Sequence, residues 1–248
     1  MRNFKMDSSE ITRIALWSGP RNISTALMYS FAQREDTKVF DEPLYAYYLR
    51  NTKAKEYHPG ADDILKSQNN NGEEVVKMMV TEDSKPVLFF KNMTHHLLDL
   101  DRSFMNQMQN VILTRNPKEM IPSFAKVIDN PTIDDIGYAM HTKLLRYFEE
   151  NNINFTVLDS KQVLLNPKRT LKLLCEKLGI PFDEKMLSWE PEPRPEDGVW
   201  AKYWYNNVHQ SNGFGKYEPK VEPFPENLRE LLKECQSHYE ILKEYSIG

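Results

Sequence analysis

Short runs of Val, Ile, Leu and Phe alternate along this chain with segments of helical periodicity, and no feature constrains its fold more. Five runs read as strands: Arg13–Trp17, Lys38–Phe40, Val87–Phe90, Val111–Thr114 and Phe155–Leu158. They are short and rich in Val, Ile, Leu and Phe, as strands covered on both faces should be. Strands that alternate with helices imply βαβ units and a mainly parallel sheet. The expected class is α/β: a three-layer, open, mainly parallel five-stranded sheet with helices on both faces. A chain of 248 residues fits one such domain spanning 1–248.

Three helical stripes are clear. Ile133, Ile136, Met140, Leu144, Tyr147 and Phe148 share one face. Leu171, Leu174, Cys175 and Leu178 share another, opened by Asn166-Pro167 and closed by Gly179. Leu228, Leu231, Leu232, Cys235 and Leu242 predict a C-terminal helix over 226–245. The segment 188–225 differs. It holds six of the fifteen prolines and Trp189, Trp200 and Trp204. Proline forbids regular structure there, yet a solvated linker would not carry so many aromatics. It reads as a long ordered loop packed on the body or on a ligand.

Charge excludes some partners. With 32 Lys+Arg against 36 Asp+Glu the net charge is −4, which argues against a nucleic-acid binder. No run approaches the roughly 20 apolar residues of a membrane span. Met1 to Glu10 carries no apolar leader core. Cys175 and Cys235 lie far apart and form no zinc pattern, so buried thiols in a reducing cytoplasm are expected.

The first strand runs into Ser18-Gly19-Pro20-Arg21-Asn22-Ile23-Ser24-Thr25, and a helix over 26–33 follows at once. Ligands of open parallel sheets sit outside the carboxyl ends of strands. A helix N-terminus there offers unpaired N–H groups and a positive dipole end. Gly19 permits a tight turn, Arg21 adds charge, and Ser24 and Thr25 add hydroxyls, so the loop reads as a phosphate cradle. The alternative is an ordinary cap, with Ser24 as N-cap and Arg21 solvated. The lysine of the nucleotide-hydrolase loop is missing.

A second strand end carries Arg115-Asn116-Pro117-Lys118-Glu119. Asn116 with Glu119 reads as a capping box, and Pro117 fits the first helical position. Ser123 lies about two turns on, after Pro122, whose missing N–H favours a bend. Such a bend would bring Ser123 and Arg115 to one phosphate. The plainer reading pairs Arg115 with a surface carboxylate.

Together, Pro20-Arg21-Asn22-Ile23-Ser24-Thr25 and Arg115-Asn116-Pro117-Lys118-Glu119 with Ser123 resemble the motifs of the sulfotransferases that use 3′-phosphoadenosine 5′-phosphosulfate (PAPS). In that family a loop P-[KR]-S-G-[ST]-[ST] holds the 5′ phosphosulfate, and R-[DN]-P-x-[DE]-x-x-x-S holds the 3′ phosphate. Leu164-Leu165-Asn166-Pro167 through Phe182 also looks like the family's late helix. The resemblance runs from about Ile14 to Leu187. It implies a P-loop NTPase-like sheet, and PAPS bound by Gly19, Pro20, Arg21, Asn22, Ile23, Ser24, Thr25, Arg115 and Ser123. It further implies adenosine 3′,5′-bisphosphate as product, with Arg194 or Lys202 of the long loop near the 3′ phosphate.

The sequence also departs from the family. Ile23 replaces a usual glycine. Many members place a histidine two residues after a strand-end lysine, and here Lys91 is followed by Asn92 and Met93, with His95 and His96 close by. Some sulfotransferases carry a glutamate base after the second strand, which implies Glu42, with Asp41 the weaker candidate. The expected reaction is in-line sulfuryl transfer to a hydroxyl of a small-molecule, sugar or lipid acceptor. Glu42 or His95 would take the proton, Arg21 would stabilise the leaving phosphate, Lys91 would neutralise the sulfuryl oxygens, and no metal would be needed. Two rivals stand beside it. One is a Mg-ATP kinase or hydrolase using Asp159. The other is a non-catalytic nucleotide-binding protein.

Overall fold

The computed structural model of the protein describes residues 11–219 and 223–248. The expectation of no leader at residues 1–10, and residues 220–222 of the long loop, lie outside that range.

The sheet has six strands rather than five. They are β1 (Thr12–Ser18), β2 (Thr37–Asp41), β3 (Val87–Met93), β4 (Gln109–Thr114), β5 (Phe155–Asp159) and β6 (Ser246–Ile247), in the order β2-β3-β1-β4-β5-β6. Every adjacent pair is parallel. The sixth strand is two residues that follow the C-terminal helix and pair with Val157 and Leu158. It is too short to give a periodic signal.

Alternation along the strands divides the core. Ile14, Leu16, Val87, Phe89, Val111 and Leu113 face one side. Ala15, Trp17, Leu88, Phe90 and Ile112 face the other. Period-two geometry forces this split, and since both sets are buried, helices must cover both faces.

The helices are α1 (Ser24–Ala32), α2 (Tyr45–Asn51), α3 (Ala61–Ser67), α4 (Gly72–Thr81), α5 (Pro117–Phe124), α6 (Ile133–Ile136), α7 (Tyr138–Glu150), α8 (Ser160–Leu165), α9 (Pro167–Leu178), α10 (Ala201–Trp204), α11 (Asn206–His209) and α12 (Arg229–Glu244). Leu27, Met28 and Phe31 of α1 and Leu171, Leu174 and Leu178 of α9 cover the first face. Val75 and Met79 of α4, Leu144, Leu145 and Phe148 of α7, and Leu242 of α12 cover the second.

The end signals of α9 act as expected. Asn166 accepts from the Arg169 amide at 3.1 Å, Gly179 takes φ 72°, and Ile180 N–H closes back on Cys175 O at 3.0 Å. Three expectations need correction. The stripe from Ile133 to Phe148 is two helices, because Gly137 at φ 76° ends α6 and begins α7. The C-terminal helix starts at Arg229, preceded by a 3₁₀ turn over Glu226–Leu228. Segment 188–225 contains α10, α11 and a bridge between Ser188 and Gly213, and buries Trp189 and Trp200. Cys175 and Cys235 are free, buried thiols in separate core clusters.

Candidate active site

The order of strands sets the location. The chain lays β3 on one side of β1 and β4 on the other, so the connections after these strands diverge and leave a crevice at their carboxyl ends. Pro20, Arg21, Asn22, Ser24 and Thr25 line one wall of the cleft there. Glu42, Lys91, Met93, His95 and His96 line it from β2 and β3, and Trp204 and Tyr205 from the long loop.

The floor is a buried charge cluster. Register places Lys91 of β3 beside Asp41 of β2. The Lys91 ammonium donates to Asp41 Oδ1 at 2.8 Å, to Glu42 Oε1 at 2.5 Å and to the Tyr205 hydroxyl at 2.7 Å. An ammonium has three N–H groups, so its donors are all committed. Tyr205 also accepts from Trp200 Nε1 at 3.1 Å and donates to Asp41 at 2.8 Å. Gly198 N–H reaches Asp41 Oδ2 at 3.0 Å, and the Trp200 ring lies so close over Gly198 that a Cβ there would stand 2.1 Å from it.

These contacts fix the protonation states. Burial alone would lower the Lys91 pKa, but the two carboxylates outweigh it and raise it. Burial raises the Glu42 pKa against the pull of Lys91. Glu42 is held at φ 43°, a left-handed conformation that a glutamate adopts only where its surroundings impose it. The Lys91 expectation needs correction. Its ammonium orients the two carboxylates and has no N–H left for a sulfuryl oxygen.

The cradle forms at the other wall. Arg21 also has a left-handed backbone, φ 51°. Its Nε donates to Ser123 Oγ at 3.1 Å and its Nη1 to the Trp204 carbonyl at 3.4 Å. Arg115 Nη1 donates to the Arg21 carbonyl at 2.9 Å, while its Nη2 faces Glu119 at 3.5 Å. Burial, then the nearby Arg115 charge, lowers the Arg21 pKa. Asn22 ties the loop to β4 through the Leu113 carbonyl at 3.1 Å. Gly19 backs onto Ile136, whose carbonyl would stand 2.7 Å from any Cβ, so no larger residue fits. Helix α1 has no side-chain cap and no acid in its first turn, so its leading amides face the cleft without a local acceptor. Ser24 is therefore not the N-cap; Ile23 is, and it packs against the core.

Other residues fall elsewhere. Arg115 and Ser123 both meet Arg21 rather than each other. Asn116 caps α5 through the Lys118 amide, and Glu119 pairs with Arg115 and accepts from Tyr217 at 2.6 Å instead of closing a capping box. Arg194 and Lys202 do not reach the cleft. The Arg194 guanidinium lies 5.6 Å over the Tyr29 ring and pairs with Glu196. Lys202 points outward from α10, whose Ala201 faces inward, and pairs with exposed Asp63 at 3.2 Å. Asp159 caps α8 through the Lys161 amide and accepts from the Tyr239 hydroxyl, and it does not line the central cleft.

His95 is buried, and burial lowers its pKa to about 3. A neutral imidazole so reluctant to take a proton is a weaker base than Glu42, whose pKa burial raises. Sequence reasoning missed Tyr205, Trp204, Asp135 and His58 as cleft residues. Each comes from a segment distant in the chain, and no spacing links it to the cradle.

A sulfotransferase domain model matches residues 12–246, nearly the whole described chain. The chain belongs to the sulfotransferase family. Two curated relatives from Arabidopsis thaliana are named branched-chain-amino-acid aminotransferase-like proteins 2 and 1. They are 37% identical over 232 residues and 38% identical over 231. The alignments cover 93% and 92% of this chain but 41% of each relative, so the chain spans less than half their length. The sulfotransferase domain of the curacin biosynthetic pathway superposes with a TM-score of 0.52 at 13% identity, covering 96% of this chain and 99% of that one. The sulfotransferase domain of the Synechococcus PCC 7002 olefin synthase gives 0.53 at 15%, covering 91% and 95%. A sulfotransferase from Alicyclobacillus acidocaldarius gives 0.53 at 9%, covering 95% and 97%. At these identities the likeness is one of fold. Among the described residues of this sulfotransferase, no helix is long and apolar enough to cross a membrane.

Proposed function

We propose that this sulfotransferase moves a sulfuryl group from PAPS to a hydroxyl acceptor, with Glu42 as the base. One observation carries the reading. A buried carboxylate, held by Lys91, faces the same cleft as an arginine-bearing loop at an uncapped helix N-terminus.

The donor set fits a doubly phosphorylated nucleotide. Arg21, Ser24, Thr25 and the leading amides of α1 supply donors for one anionic end. Arg115 and Ser123 flank Arg21 and supply donors for another, and the buried Arg115 Nε has no hydrogen-bond partner among the described residues. When bound, PAPS supplies a sulfuryl group whose bridging oxygen leaves with the 5′ phosphate.

The chain's own residues do the rest. Glu42 accepts the hydroxyl proton, and its raised pKa makes it a stronger base than an exposed carboxylate. Lys91 keeps the Asp41–Glu42 pair oriented. Arg21 stabilises the charge that develops on the leaving side, where one well-aimed donor is worth roughly 2.7–4 kcal/mol.

Calorimetry with adenosine 3′,5′-bisphosphate tests the donor half. The expected result is saturable heat that does not require Mg²⁺. Absence of heat overturns it.

A further inference from the structure

A second hollow of about 590 Å³ adjoins the central cleft. His95 and Asp135 line both, and Tyr48 and Tyr57 add aromatic wall. Asp135 accepts from the Thr132 amide and hydroxyl at 2.7 Å and from the Tyr57 hydroxyl at 2.8 Å, all neutral donors. Burial would raise its pKa, but these hydrogen bonds outweigh burial and lower it, so the carboxylate is charged. No lysine or arginine pairs with it among the described residues; Lys53 and Lys143 line the hollow but are exposed.

Neutral imidazoles flank that charge. His95 is 8% exposed and its Nδ1 has no partner. His58 Nε2 also lacks one, its Nδ1 being shared with the Tyr45 hydroxyl at 2.7 Å. The Tyr48 ring stands 5.1 Å from His95 and 5.8 Å from His58. Burial holds both imidazoles neutral. A buried carboxylate with hydrogen bonds but no cationic partner, imidazole nitrogens without partners and aromatic ring faces together suit an organic cation. A neutral polyol would pair with the imidazoles and leave the charge unmatched. Of the charged groups that line the hollow only Asp135 is buried, Lys53, Lys143, Asp129 and Asp134 being exposed, so an anionic acceptor would meet that carboxylate.

We propose that the acceptor is an amino alcohol, its ammonium seated between Asp135 and His95 and its hydroxyl extended into the central cleft toward Glu42. This rests on the sulfuryl-transfer reading. The acceptor oxygen forms the bond to sulfur, and the bond from sulfur to the bridging oxygen of PAPS breaks. The electron pair leaves with the phosphate, the hydroxyl proton goes to Glu42, and the ammonium is unchanged.

The test compares ω-amino alcohols from 3-aminopropan-1-ol to 6-aminohexan-1-ol with alkan-1-ols of equal heavy-atom count. With PAPS present, at least one amino alcohol is expected to exceed its alkanol about tenfold in kcat/KM, a difference of about 1.4 kcal/mol. Asp135→Asn is expected to bring that ratio toward one. A donor-free readout keeps the two proposals separate: NMR of ring-labelled histidines in the full chain. There the amino alcohol should shift His58 and His95 signals and the alkanol should not. Equal responses to the two compounds, or no histidine response to any amino alcohol, overturn the proposal even where adenosine 3′,5′-bisphosphate binds. Absence of nucleotide heat beside selective histidine shifts overturns the donor reading alone. Should Asp135→Asn fail to fold, the wild-type comparison decides.

Discussion

Lys91 reaches Glu42 across 2.5 Å from inside the sheet, and Glu42 adopts a left-handed backbone at the carboxyl end of β2 where it meets that ammonium. The charge that holds this carboxylate lies within the core, and the carboxylate itself stands on the connection after the strand.

Lys91→Met would leave Asp41 and Glu42 buried together without a cation. Removing one partner of such a cluster typically costs about 3–5 kcal/mol. Urea unfolding should show that loss, and Asp41→Asn in the same background should recover part of it. A midpoint equal to wild type would mean the carboxylates are less buried than described.

Glu42→Gln keeps the side-chain shape and removes the proton acceptor. Sulfuryl transfer should fall about 10²–10⁴-fold while the heat of adenosine 3′,5′-bisphosphate binding persists. Unchanged turnover would remove Glu42 from the mechanism.

Arg115→Ala should weaken adenosine 3′,5′-bisphosphate far more than adenosine 5′-phosphate, because only the former presents a second phosphate to the Arg115–Ser123 side. Calorimetry with both nucleotides reads this directly. Equal losses would show that Arg115 acts only by bracing the Arg21 carbonyl.

Tyr205→Phe deletes one hydroxyl from the floor. Trp200 Nε1 then loses its acceptor, Lys91 loses one of three, and Asp41 loses a donor. A cost of about 1–3 kcal/mol is expected, read from denaturant midpoints. A neutral substitution would mean that water replaces the phenol.

Acid should unfold the protein through its histidines. Burial lowers His58 and His141 to about 4 and His95 to about 3, against 6.5 when unfolded. Between those values the unfolded chain binds more protons. Their contribution is therefore complete above pH 6.5 and lost as pH falls toward 3, at up to about 1.4 kcal/mol per pH unit for each group. Glu42, with its raised pKa, acts in the opposite sense over part of this range. Thermal melts between pH 7 and pH 4 should show a steady fall, and a flat profile would contradict the neutral, buried imidazoles.

Much of the fold was legible because it is carried by local chemistry. The five longer strands each hold a short run rich in Val, Ile, Leu and Phe, and Asn166, Pro167 and Gly179 mark the ends of α9 where the structure places them. Gly137 breaks a stripe that periodicity alone joins, since apolar spacing does not register a positive φ. The cradle was readable as a strand–loop–helix junction. Its partners were less so. Asp41 meets Tyr205 across 164 residues and Arg21 meets Ser123 across 102, distances over which only the folded sheet brings side chains together. Arg194 and Lys202 show the converse. Arg194, in a loop, folds over Tyr29 and pairs with Glu196, while helix geometry points Lys202 outward to Asp63.

The long aromatic segment is fastened to the body at two of the cleft's own charged groups: the Trp204 carbonyl to Arg21, and Gly198 and Tyr205 to Asp41. One rivet belongs to the cradle wall and the other to the floor, and five residues lie between Gly198 and Trp204. The same short stretch of chain therefore braces both the guanidinium of the cradle and the carboxylate of the floor.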